Sequence, residues 1–116
     1  MRRGEIWTVA GGPDFAGKPR PVVIVQSDLF AETNSVTICP FTTESSDAPL
    51  FRVTVVPHAA NGLEHPTRLM ADKLTTVRRS KLGRLIGRLA PADLARLDAA
   101  LVLFLGLAEP PPIARD

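Results

Sequence analysis

GKPRPVVIV, residues 17–25, is the stretch on which the fold turns. Pro19 and Pro21 flank Arg20, and an unbroken β-branched run, Val22 to Val25, follows at once. A residue before proline is biased away from the helical region, so Arg20 is expected extended. A run that is apolar at successive positions fits a central strand covered on both faces. Residues 22–26 therefore read as a strand, with Arg20 at its start.

The flanking segments repeat this grammar. GEIWTVAG gives a strand over Glu5–Val9, with Ile6 and Thr8 on one face and Glu5, Trp7 and Val9 on the other. GGPDFAGKP, rich in turn residues, is the loop between these two strands. SVTICPFTT (35–43), FRVTVVP (51–57) and RLMADKLTTV (68–77) read as a third, fourth and fifth strand. After a turn near Ser80 and Lys81, LGRLIGRLA is a short sixth, where Gly83 and Gly87 imply a bend or bulge. The period then changes. Leu94, Leu97, Leu101 and Phe104 recur at three- and four-residue steps, one face of a helix. Pro91 and Asp93 suit its first turn and Gly106 its C-terminal cap. Leu103 and Leu105 widen the apolar surface beyond one stripe and leave room for a partner. Six strands and one helix amount to a mostly β domain, a small barrel or strongly curled sheet.

With 116 residues, 45% of them hydrophobic and 22% charged, the chain fits one globular domain. The domain is expected over 1–108, and the proline-rich piece 109–116 reads as a tail. No apolar run approaches the ~20 residues that span a bilayer. The N-terminus lacks a secretory apolar region and Cys39 is the single cysteine, so a reducing cytoplasm is the expected location. Cys39 lies in an apolar strand and reads as an inert core thiol. His58 and His65 lack a metal-ligand spacing, so no metal or other cofactor is expected.

The net charge is only +2, but its placement is uneven. Arg78, Arg79, Lys81, Arg84 and Arg88 form one cluster, and Lys18 with Arg20 a second. Such clusters attract polyanions, though each also fits a solvated basic face. Phosphate-loop, nucleophile-elbow and HExxH patterns are absent. What remains is polar chemistry at strand ends: Arg20 before the central strand, Thr42 and Thr43 after the third. Singly, Arg20 also fits a structural bridge to Asp14 or Asp28, and the threonines fit ordinary turn positions.

Taken in order, RGEIW, GKPRPVVIVQSD, ICPFTT, LMADKLTTV and a closing amphipathic helix resemble the MazF/PemK family of toxin endoribonucleases. The resemblance runs from Arg3 to about Leu107. It implies a small SH3-like barrel of the CcdB/MazF type with a C-terminal α-helix, usually a homodimer. It implies metal-free, sequence-specific cleavage of single-stranded RNA, chiefly messenger RNA, to 2′,3′-cyclic phosphate and 5′-OH ends. It also implies a cognate antitoxin protein as partner. The family's catalytic arginine matches Arg20 and its catalytic threonine matches Thr42. Lys18, Phe15, Thr43, Lys73, Arg78 and Arg79 are the expected RNA contacts, Phe15 by stacking on a base and Lys73 through the RNA backbone. Two departures stand out: the loop GGPDFAGK (11–18) is short and lacks the family's glutamate, and Lys73 replaces a common glutamine. A gyrase-poisoning toxin of the CcdB type, which shares the fold without the nuclease chemistry, is the alternative.

Overall fold

The computed structural model describes residues 1–10, 18–44 and 50–108. Among them, seven strands are followed by one helix: β1 (Glu5–Val9), β2 (Arg20–Ile24), β3 (Ser35–Thr42), β4 (Arg52–Val55), β5 (Thr67–Met70), β6 (Thr75–Arg78), β7 (Leu82–Arg88) and α1 (Pro91–Phe104). The sheet runs β4-β5-β3-β2-β1-β7, with β6 also on β3, and every pairing is antiparallel. The mainly β architecture with a C-terminal helix agrees with the sequence reading, and β1 has the expected bounds. The piece 109–116 lies outside the described residues.

The apolar run of β2 is covered on both sides, as its pattern requires. Val23 joins Ile6, Cys39, Val53, Val55 and Leu69 in one core, which α1 closes with Leu97, Ala100 and Leu101. Val22 and Ile24 point the other way and pack with Val36 and Ile38 under Trp7, Val9, Val77 and Leu82. Each fully buried Val or Ile contributes roughly 1.5–3 kcal/mol of burial free energy. Cys39 belongs to the first core, where burial pushes its thiol up to about 12.

The expected fifth strand is two strands. Phe41 pairs with Leu69 and Ile38 with Thr75, so three residues advance on β3 while six advance on its partner. The surplus is a 3₁₀ turn, Ala71–Lys73. It lies across from Pro40, which has no N–H to give to a ladder. The buried Ala71 anchors the turn in the core, and its N–H bonds Phe51 O at 3.0 Å. Asp72 and Lys73 are thereby presented beside the end of β3.

The β1–β7 pairing carries two register shifts, at Ile6/Trp7 and Trp7/Val9, in line with the bulge expected from the glycines of β7. Gly87 is required by close approach, since a Cβ there would stand 2.4 Å from the backbone C and O of Asn61. Helix α1 begins at Pro91 with Asp93 in its first turn and ends on Gly106 at φ 69°, where Leu107 N–H returns to Val102 O. Leu97 and Leu101 are buried, Leu94 is partly so, and Phe104 lies against Phe51 with ring centroids 6.0 Å apart. Leu103, Leu105 and Leu107 remain exposed. An Arg3–Asp98 ion pair at 2.6 Å fastens the N-terminal segment to α1. No helix among the described residues is long and apolar enough to cross a membrane.

Candidate active site

Arg20 opens β2 and Thr42 closes β3, so antiparallel pairing brings two sequence-distant strand ends together. The β2–β3 register pairs Ile24 with Ile38, Val23 with Cys39 and Val22 with Pro40. Arg20, two residues before Val22, and Thr42, two residues after Pro40, lie at the same end of the two strands. Arg20 pairs with Val9 of β1. Arg20 is thus held extended against β1 at the start of its strand.

Both residues line a cleft of about 620 Å³. Val22 and Ile38, nearly inaccessible, form its floor together with Pro21, Pro40 and Val77. Its walls carry Arg20, Arg52 and Lys73, with Glu44 as the one carboxylate among the described residues that line it. The lining therefore favours an anion. Neither histidine lines the cleft, and among the described residues no group of three His, Cys, Asp or Glu side chains is placed to hold a metal ion.

The Thr42–Glu44 turn is tied down at several points. Glu44 N–H donates to Thr42 Oγ1 at 3.1 Å, a local side-chain turn. The hydroxyl keeps its own hydrogen as a donor. Thr67 Oγ1 donates to Thr42 O at 2.7 Å, and Arg68 Nη1 to Glu44 O at 3.0 Å.

Arg52 enters the cleft wall from β4 and grips Asp72 through two bonds, Nε to Oδ1 at 2.8 Å and Nη2 to Oδ2 at 3.0 Å. These bonds hold the Asp72 carboxyl below the usual carboxylate range. The guanidinium also lies 5.8 Å from the Phe51 ring centroid. The pair locks β4 to the turn that carries Lys73.

Of the residues expected from sequence, Arg20, Thr42, Thr43 and Lys73 come together around this cleft. Lys18 is exposed two residues before Arg20, outside the lining. Phe15 and Asp14 lie outside the described residues, and Asp28 instead accepts the backbone N–H of Arg3 at 2.7 Å. Arg78 is exposed and pairs with Ser35, at the opposite end of β3 from Thr42. Seven residues of extended chain separate the two ends, about 23 Å. Arg79 is committed elsewhere, since its guanidinium donates to the carbonyls of Ala31 and Thr33. Arg52, Glu44, Thr67 and Arg68 are site residues that sequence reasoning missed. An arginine inside the otherwise alternating FRVTV was a signal for Arg52; the others owe their position to pairing between distant segments.

Comparison with known proteins bears on the family and the fold. Residues 2–105 match the model of the PemK-like, MazF-like toxin of type II toxin-antitoxin systems. A probable endoribonuclease MazF of Mycolicibacterium smegmatis is 53% identical over 108 residues, covering 93% of this chain and 99% of the relative. Among solved structures, the Mycobacterium tuberculosis toxin MazF-mt6 superposes with a TM-score of 0.75 at 28% identity, covering 90% of this chain and 99% of that one. A mycobacterial endoribonuclease solved in complex with its cognate antitoxin shares the fold, with a TM-score of 0.77 at 24% identity and coverage of 95% and 99%.

Proposed function

The chain belongs to the PemK-like, MazF-like toxins of type II toxin-antitoxin systems, and from that membership we propose how its cleft works. It is a toxin endoribonuclease, as its 53% identical relative is named, and its protein partner is the antitoxin of the same system. The gyrase-poison alternative draws no support from the family match. The finer reading is metal-independent, sequence-specific cleavage of single-stranded messenger RNA in the cytoplasm. It rests above all on Arg20 and Thr42 lining one cleft together with Arg52 and Lys73.

RNA carries its own nucleophile. The 2′-oxygen bonds to phosphorus, the P–O5′ bond breaks, the 2′ proton passes to a carboxylate, and the 5′ oxygen takes a proton from water. The products are a 2′,3′-cyclic phosphate and a 5′-OH. Arg20 has a planar fork of donors for the phosphate oxygens. With a pKa above about 12, it serves as an electrostatic stabiliser rather than a base. Thr42 adds a hydroxyl donor, whose oxygen accepts Glu44 N–H while its hydrogen stays available. Glu44 is the carboxylate to which we assign the 2′ proton. Lys18, Thr43 and Lys73 hold the RNA backbone beside the scissile phosphate, Arg78 holds it farther along β3, and Phe15 stacks on a base. Arg79 is given no RNA contact, because its guanidinium is bonded to backbone carbonyls. A homodimer joined through the exposed Leu103, Leu105 and Leu107 completes the reading.

The test is end-group analysis of single-stranded RNA incubated with the purified protein in excess EDTA. Discrete fragments ending in cyclic phosphate and 5′-OH support the reading. Cleavage that needs added metal, or leaves 5′-phosphate ends, contradicts it.

A further inference from the structure

We propose that Thr67 and Arg68 of β5 are positioning residues for cleavage, acting through Thr42. Neither residue belongs to the Arg20–Thr42 pair, and the inference rests on Thr42 being the hydroxyl donor to the phosphate. Thr42 is the last residue of β3, where the ladder ends and the backbone turns away. A hydroxyl at a strand end is only as well placed as the turn that carries it. In this chain the turn is held from one side, by two successive residues of one strand. Thr67 Oγ1 donates to Thr42 O at 2.7 Å, and Arg68 Nη1 donates to Glu44 O at 3.0 Å. Between these anchors, Glu44 N–H donates to Thr42 Oγ1 at 3.1 Å. The three bonds form one connected path from β5 to the reacting hydroxyl.

The path fixes direction as well as place. With Glu44 N–H on its oxygen, the Thr42 hydroxyl has its hydrogen left to donate. Arg68, by holding Glu44 O, restrains the residue whose N–H, in the preceding peptide, bonds Thr42 Oγ1. Thr67 is buried, at 5% exposure, and fixed on its other edge by pairing with Val55 of β4. It is therefore a rigid anchor, as a supporting residue must be. Arg68 stands directly opposite Thr42 in the β3–β5 register, so its reach to Glu44 follows from the pairing itself. Losing an anchor loosens the hydroxyl without removing it. The cost falls on the chemical step and leaves RNA affinity in place.

The experiment is a single-turnover comparison on one RNA substrate. Affinity is measured separately on the same RNA carrying a 2′-deoxy nucleotide at the scissile position, and folding by thermal melting. Thr67→Val is expected to slow cleavage on the order of 10–100-fold, the range a misplaced catalytic group produces, with an unchanged Kd. Thr67→Ser is expected to restore the rate. Arg68→Met, at a more exposed site, is expected to slow cleavage in the same sense with an unchanged melting temperature, and it keeps the test valid if Thr67→Val folds poorly. Adding Thr67→Val to Thr42→Ala is expected to cost nothing further. The proposal is overturned if Thr42→Ala is inactive while Thr67→Val and Arg68→Met cleave at the wild-type rate, or if their loss lies entirely in Kd. A Thr42→Ala protein that cleaves normally instead sinks the reading of Thr42 on which the proposal stands.

Discussion

Arg20, the first residue of β2, and Thr42, the last of β3, line one cleft at the same end of the two strands. In sequence they are far apart, yet the antiparallel pairing of β2 with β3 brings both strand ends to the same cleft. Pro21 keeps Arg20 extended, and β1 holds it through the pairing with Val9. The cation and the hydroxyl proposed to meet the phosphate therefore stand at the ends of paired strands.

Lys73 and Arg79 illustrate how two cations at opposite ends of β3 take different work. Lys73→Ala is expected to weaken RNA binding evenly across sequences. It should also lower the salt-dependence slope by about 0.7, the value for one phosphate contact on a single strand. Arg79→Ala is expected to leave that slope unchanged and to lower stability, since its guanidinium holds the carbonyls of Ala31 and Thr33. Binding isotherms at several salt concentrations and a urea titration of each variant separate the two.

The Arg52–Asp72 bridge should show itself in acid. Asp72 has a native pKa lowered by Arg52, so the unfolded chain binds its proton first as pH falls. The pair's contribution is then complete above the ordinary Asp value of about 3.9, and is lost as pH drops through the lower native value. Asp72→Asn is expected to cost about 1.5–3 kcal/mol at pH 7, the range for hydrogen bonds to charged groups. The difference from wild type should shrink below about pH 4. Urea midpoints measured at several pH values check this.

Cys39 is expected to resist alkylation in the folded protein at pH 8, because burial pushes its thiol up to about 12 and the thiolate is the nucleophile. Denaturant should release full reactivity. Mass measurement after iodoacetamide treatment, with and without guanidinium, reads the result directly.

Gly87→Ala is expected to destabilise the domain by about 1–3 kcal/mol, the range for overpacking a tight site, and its melting temperature should fall accordingly. The added Cβ would press on the Asn61 backbone at 2.4 Å, against a segment pinned by the buried Asn61 side chain.

Much of this was written in local pattern. The two-sided apolar run of β2 announced a sheet covered on both faces, and the shift to a helical period after Pro91 located α1. The split of residues 67–78 into β5 and β6 was not legible. It arises from the length of β3, whose two halves hold two partners three residues out of step, and no local signal marks Ala71–Lys73 as a turn. The site divides in the same way. Arg20 was marked by its flanking prolines and Thr42 by the polar end of an apolar strand. Thr67 and Arg68 look like ordinary strand residues until pairing sets them against the Thr42–Glu44 turn. Arg79 sat in a basic cluster that suggested RNA, while its guanidinium serves the protein's own backbone.

The account's central claim is that Arg20 and Thr42 act together on one phosphate. Its most direct test is the single-turnover rate constant for cleavage of a single-stranded RNA in EDTA, for wild type, Arg20→Ala and Thr42→Ala, each checked for folding by thermal melting. A fall on the order of 10²–10³-fold in each variant, with melting temperatures unchanged, is the predicted result. Cleavage at the wild-type rate by folded Arg20→Ala protein would contradict it.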